Sequence, residues 1–165
     1  MRKSIFLGIL ILVLDVVTKF YTQAYLPEMY GAYFRYPYGG IGVFSDFLGV
    51  QFSLVHAINR GAAWGLFAEF QKPLLYLRII LIGFLTIYVF LWNKQKELRI
   101  PLMLVLAGAV GNVLDYFIYG HVIDMFYFIF WGYSYPVFNV ADSAIFIGIV
   151  WLFIQSFCCR HKCSA

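Results

Sequence analysis

Charge is what this sequence has least of. Only 12% of its 165 residues are Asp, Glu, Lys or Arg, against 63% hydrophobic, where soluble domains carry about 25% charged residues. So few charges cannot cover a water-soluble surface of this size, and the solvent for most of the chain is read as lipid. Disorder, collagen, coiled coil and small disulfide scaffolds are excluded together. Cysteine is scarce too: Cys158, Cys159 and Cys163 all fall in the last eight residues, which leaves no disulfide framework. G-x-S-x-G, H-E-x-x-H and a Walker loop are absent. His56, His121 and His161 are scattered, so no metal site or cofactor is expected, and Cys158 to Cys163 reads as a solvated tail rather than a zinc site. The balance of charge is basic, net +4 with a pI near 9.0. No basic stripe interleaves with aromatics on a polar face, so nucleic acid is not the partner. The cations read as topology determinants and headgroup contacts.

Four apolar segments are long enough to cross a hydrocarbon core, which needs about 20 helical residues. They run from about 4–24, 73–92, 100–119 and 140–157, with Pro73 and Pro101 at first-turn positions. The expected fold is mainly α, a single integral-membrane domain over 1–165 with four transmembrane helices and a small extracytoplasmic sheet or loop region. Seven cations (Arg2, Lys3, Lys94, Lys96, Arg99, Arg160 and Lys162) collect on one side. Both termini are therefore expected in the cytoplasm, with the 25–72 loop and the 120–136 linker outside. A cleavable signal peptide ending near Ala24 is disfavoured, because Asp15 and Lys19 interrupt it and cleavage would leave an odd number of spans. The outer loop is too long for a mere connector. It is rich in aromatics and Gly, from Tyr30 to Tyr36 and Gly39 to Phe44, and the alternation from Val50 to His56 predicts a strand. That composition suits a small sheet lying on the membrane surface.

The acids carry the most information. Asp15, Asp115, Asp124 and Asp142 lie inside or at the ends of spans, where an Asp at a helix centre costs about 2.5–3.5 kcal/mol. Asp15 has Lys19 at i+4, the spacing of an ion pair. Asn112 and Asp115 share a helix face, and Asn139 and Asp142 repeat that N-x-x-D spacing at the start of span four. Gly108 and Gly111 allow a close helix approach, so a polar helix–helix clamp is one reading of the first pair. Asp124 and Asp142, on arms of an up-down hairpin, can meet at the outer face. Two carboxyls sharing one site there share a proton, as aspartic peptidase chemistry requires. By spacing alone Asp115 substitutes equally for Asp124. A membrane transporter using the acids as a proton or ion path is the rival reading.

Four blocks together resemble the lipoprotein signal peptidases, the type II signal peptidases, over essentially the full length. Asp15-Val16-Val17-Thr18-Lys19 is similar to the family's D-x-x-x-K, and Asn59-Arg60-Gly61-Ala62-Ala63-Trp64 to its N-x-G-A-A-F block. Gly111-Asn112-Val113-Leu114-Asp115, continuing through Gly120-His121-Val122-Ile123-Asp124, is similar to G-N-x-x-D-R-x-x-x-G-x-V-x-D. Phe138-Asn139-Val140-Ala141-Asp142-Ser143-Ala144 matches F-N-x-A-D-S-A at every position.

The resemblance implies a membrane aspartyl endopeptidase of the bacterial inner membrane, its site near the outer leaflet. It would remove the signal peptide from diacylglyceryl-modified prolipoproteins just before the lipidated cysteine. The resemblance puts the catalytic dyad on Asp124 and Asp142. Asp15, Lys19, Asn59, Gly61, Asn112, Asp115 and Asn139 become supporting or substrate-binding positions. Membrane lipid is an implied partner, and inhibition by the cyclic peptide globomycin is an implied property. Three departures stand out. Val16 replaces Gln, Trp64 replaces Phe, and Tyr116 stands where an Arg follows Asp115 in the family, a planar multi-donor group that Tyr cannot replace.

Overall fold

The computed structural model describes residues 1–29, 36–61 and 68–162. The aromatic stretch 30–35, positions 62–67 of the second motif block and the cysteine side chains of the tail lie outside the described residues. Four helices are long and apolar enough to cross a membrane. They are α1 (Arg2–Tyr25), α2 (Gln71–Ile87) with a π-helical extension over Tyr88–Trp92, α3 (Arg99–Tyr119) and α4 (Val140–Lys162). Four strands, β1 (Ile41–Phe47), β2 (Val50–Asn59), β3 (Val122–Phe130) and β4 (Tyr133–Ser134), pair antiparallel in sequence order. The mainly α architecture with a small sheet expected from the sequence is the one observed.

The bundle is apolar outside and polar inside toward the sheet, while its other end has an apolar core around Val89, Leu102, Met103 and Leu106. Phe84, Leu91, Phe146 and Phe153 face outward, whereas Asp15, Lys19, Asp115 and Asn139 are buried. This inverts the arrangement of a soluble protein and suits a hydrocarbon surround, in which charged groups must be satisfied internally. The central helix is α3, which buries more residues than α1 or α2 and packs on all three other helices. It approaches α4 closely because two positions lack a side chain. A Cβ on Gly108 would run into the Ala141 carbonyl oxygen, and one on Gly111 would come within 2.6 Å of Asp15 Oδ2. Between helices in lipid, small residues supply contact that no hydrophobic effect provides.

The sheet sits at the end of the bundle where α1 and α3 finish and α2 and α4 begin. Half of it corrects the sequence reading. Residues 120–136, expected to be a short linker, hold β3 and β4, and β3 pairs with β2 along nearly its whole length. Along β3 the odd residues Ile123, Met125, Tyr127 and Ile129 are buried, and Asp124 shares the opposite face with Phe126, Phe128 and Phe130. Phe52 stacks on Phe128 at 4.3 Å between ring centroids, and Phe138 stacks on the same ring at 6.0 Å. Pairing steps from Leu54↔Phe126 to Ala57↔Asp124, so Val55 and His56 together face Met125 as a bulge. A bulge bends its strand and re-aims side chains beside it, here next to Asp124.

The close α3–α4 crossing generates a test. Gly108→Val should lower stability by about 1–3 kcal/mol, the cost of overpacking a tight contact. Thermal unfolding in detergent micelles checks it, and a variant melting with the wild-type protein would contradict the packing described.

Candidate active site

The site is assembled around the first turn of α4. Asn139 precedes the helix as its N-cap: its Oδ1 accepts the backbone N–H of Asp142 at 2.8 Å, and Asp142 Oδ2 accepts the N–H of Asn139 at 3.3 Å. This reciprocal pair is a capping box, the usual solution for orphan amides at a helix start. The N-x-x-D spacing noted in the sequence therefore has a local cause. A further amide of that turn, Ala141 N–H, is taken by Asp15 Oδ1 at 2.8 Å, which docks α1 against α4.

The Asn139 amide then reaches across to β3. Its Nδ2 donates to Asp124 Oδ1 at 2.7 Å and contacts the Ile123 carbonyl at 3.2 Å and Asn112 Oδ1 at 3.1 Å. Asp124 Oδ2 accepts the Asn59 amide at 3.1 Å from β2. Asn112 on α3 donates to Asp142 Oδ1 at 2.7 Å. Asp124 and Asp142 thus belong to one hydrogen-bonded cluster, each oxygen of each carboxyl facing an amide donor. Gly61 supports it from the second motif block, its N–H donating to Asn59 Oδ1 at 3.0 Å.

Beneath the cluster lies a buried ionic base. Lys19 Nζ stands 2.7 Å from Asp15 Oδ2, 2.7 Å from Asp115 Oδ2 and 3.1 Å from Asn112 Oδ1, so its three protons meet three acceptors. Lys19 is fully buried. Asp115 also accepts the Ile123 N–H at 3.3 Å, tying α3 to the start of β3. The structure separates two residues that spacing left equivalent. Asp115 turns toward Lys19, while Asp124 turns toward Asn139 and Asn59.

Burial also acts on Asp124. It is only 2% exposed. Burial pushes its carboxyl up, to about 7, and the Asp142 carboxyl pushes the same way, against the opposing effect of the Asn59 and Asn139 donors. Asp142 faces a cavity of about 880 Å³ between α2, α3 and α4, and Asp124 lies one hydrogen bond behind it, through Asn59 on the cavity wall. Among the described residues, no group of three or more His, Cys, Asp or Glu side chains is arranged to hold a metal ion. The polar end of the cavity carries Asn59, Arg78, Asn112, Asp142 and Ser143, and most of the remaining lining is apolar.

Sequence reasoning brought most of these residues forward but passed over Arg78. It lines the same cavity from α2, and its Nη2 donates to the Gly61 carbonyl at 2.8 Å. The signal was available, since Arg78 is the one charge within the apolar stretch 73–92.

Comparison with known proteins narrows the meaning of this geometry. The family model for signal peptidase (SPase) II matches residues 7–158. A lipoprotein signal peptidase of Chlamydia trachomatis serovar L2 is 42% identical over 106 residues, covering 62% of this chain and 62% of that protein. One from Chlamydia pneumoniae is 41% identical over 104 residues, with the same coverage. The chain thus aligns with somewhat under two thirds of the length of these curated relatives. A solved bacterial membrane enzyme superposes with a TM-score of 0.78 at 25% identity, covering 95% of this chain and 88% of its own. A second, also described as a bacterial membrane enzyme, gives 0.73 at 24% identity, covering 94% and 92%, and supports the fold.

The ionic base yields an expectation. Lys19→Met leaves two buried carboxyls facing each other without their cation, at a cost of about 3–5 kcal/mol. Thermal unfolding in detergent should register that loss, and should register a smaller one for Asp115→Asn, which keeps the Asp15–Lys19 pair. An unchanged melting profile for Lys19→Met would contradict the role given to this pair.

Proposed function

The chain belongs to the signal peptidase II family, and from that premise we propose that it is an intramembrane aspartyl endopeptidase. Its substrates are diacylglyceryl-modified prolipoproteins, cut just before the lipidated cysteine. The observation that carries this reading is the joining of Asp124 and Asp142, from a strand and a helix, through Asn139 at the edge of a cavity open to apolar walls. Aspartyl chemistry needs two carboxyls in one environment that between them hold one proton.

The steps follow from that arrangement. The ionised member of the pair takes a proton from water as the water oxygen attacks the carbonyl carbon of the scissile amide. The protonated member gives its proton to the carbonyl oxygen, forming a neutral tetrahedral intermediate. Collapse then breaks the C–N bond: the carboxyl that took the water proton gives it to the leaving nitrogen, the other carboxylate takes a proton from a hydroxyl of the intermediate, and the pair is returned to one proton. Asn59, Asn112 and Asn139 hold the carboxyls in position, as the positioning shell of such a site must. The extended aromatic face of β2 and β3 offers edges and rings against which a signal peptide is laid. Substrate lipid enters the apolar part of the cavity from the bilayer.

Orientation belongs to the same proposal. Arg2, Lys3, Lys94, Lys96 and Arg99 sit at the bundle end opposite the sheet, which supports cytoplasmic termini in a bacterial inner membrane and a site near the outer leaflet. The two-residue turns of the sheet carry Leu48 and Trp131 at positive φ, 80% and 78% exposed. Bulky apolar side chains at exposed, strained turn tips suit contact with lipid rather than water.

Asp124→Asn and Asp142→Asn should each lower cleavage of a diacylglyceryl-modified precursor by at least about a hundredfold while leaving membrane insertion intact. A gel-shift assay on reconstituted protein checks this, and near wild-type cleavage by either variant would remove that residue from the mechanism. The rate should also fall as pH rises above about 7, because the raised carboxyl of Asp124 then gives up the proton the pair needs. A rate that climbs steadily from pH 7 to about pH 9 would contradict a shared proton.

A further inference from the structure

Arg78 has no place in the chemistry above, yet it occupies an expensive position. It lies seven residues into the α2 span, about 10 Å along the axis from Gln71, and a cation near a span centre costs about 2.5–3.5 kcal/mol. Among the described residues, which include all eight acids, no carboxylate is within ion-pair distance of it. The one hydrogen bond found for its guanidinium among them is to the Gly61 carbonyl. A guanidinium has five N–H donors. Its remaining donors have no partner among the described residues, and the side chain lines the cavity.

The cavity is graded around it. The polar end holds Asn59 and Asp142, and Arg78 stands beside it. Further along α2, Leu81 and Leu85 face Val105 of α3 and Ile149 of α4. Val105 and Ile149 each lie seven residues along their helices from Asn112 and Asp142, so the apolar part extends about 10 Å below the acids. A ligand matching this order has a peptide at the polar end, hydrogen-bond acceptors at the level of Arg78 and hydrocarbon beyond. Among the described residues, Tyr116 does not line the cavity, and Arg78 is the only cation that does.

We propose that Arg78 is a specificity residue of this site, donating to the ester carbonyl oxygens of the diacylglyceryl group on the substrate cysteine. This rests on the peptidase reading above. A planar fork of donors suits two adjacent carbonyls better than an ammonium does, and it recognises the joint between peptide and acyl chains without contacting the scissile amide. Arg78 therefore selects lipidated over unmodified precursor through binding.

Two synthetic precursors of identical sequence test this, one carrying ester-linked and one ether-linked chains, the second lacking the carbonyl acceptors. KM and kcat are measured with reconstituted protein in phosphatidylcholine vesicles, with and without phosphatidylglycerol, under conditions where chemistry is slow enough for KM to report affinity. Wild-type protein should bind the ester substrate about ten- to a hundredfold more tightly than the ether, the range of a charge-assisted hydrogen bond. Arg78→Met should raise KM for the ester substrate by that factor, leave the ether substrate unchanged and hold kcat within about twofold. Arg78→Lys, the milder change, should give a smaller rise on the ester substrate alone, and it carries the test if Arg78→Met does not fold. An unchanged ester KM in the variants, or an equal loss on both substrates, overturns the proposal. So does a loss confined to vesicles containing phosphatidylglycerol, which would assign Arg78 to a phospholipid phosphate. Wild-type protein that cuts neither precursor would instead overturn the peptidase reading, and this proposal with it.

Discussion

One amide side chain joins the two halves of this molecule. Asn139 caps α4 through its carbonyl oxygen and grips Asp124 of β3 through its nitrogen. Its burial is complete, so each of those bonds replaces one that water cannot supply, and losing either would strand a polar group in a low-dielectric interior. Helix and strand are thereby held in one relative position. The separation of the two acids is consequently a property of the fold rather than of loop conformation.

The surrounding ion network follows from the same constraint. Lipid outside the bundle leaves charged groups only each other, and Lys19 is the single cation bonded to the buried acids among the described residues. It neutralises part of the charge on Asp15 and Asp115 and fixes Asn112, which in turn bonds Asp142. Packing and electrostatics are coupled here. Gly111 leaves room for the Asp15 carboxyl, which meets the Ala141 amide beside the close approach of Gly108 to Ala141. Side chains that look like separate motifs in the sequence form one continuous polar seam through the bundle.

Much of this was legible beforehand, and the failures have physical causes. The four spans follow from unbroken apolar length, which few other structures require. The Val50–His56 alternation marked β2 because one side of that strand is polar. β3 carries no such mark. Its segment Val-Ile-Asp-Met-Phe-Tyr-Phe-Ile-Phe is apolar or aromatic at nearly every position, because one face enters the core and the other is paved with rings. A strand buried that way has no period to read. Asp115 and Asp124 were indistinguishable by spacing, because what separates them is the change from helix to strand after Gly120. The Asn139–Asp142 capping box is visible in the sequence as N-x-x-D, but the same spacing at Asn112 and Asp115 lies within a helix, so the pattern alone does not mark a cap. Arg78 has no acid three or four residues away on its helix, and its partner, the Gly61 carbonyl, is 17 residues off in the chain, so spacing within the span does not reveal it.

The proposed peptidase chemistry requires a single proton shared by Asp124 and Asp142. Infrared titration of isotopically labelled aspartate, as a difference between wild-type protein and Asp124→Asn, reads that proton without requiring turnover. The expected result is a protonated carboxyl band present below about pH 7, lost as the pH passes that value and missing from the variant. A wild-type protein whose difference spectrum contains no carboxyl titrating near neutrality, both acids being ionised well below it, would contradict the shared-proton pair.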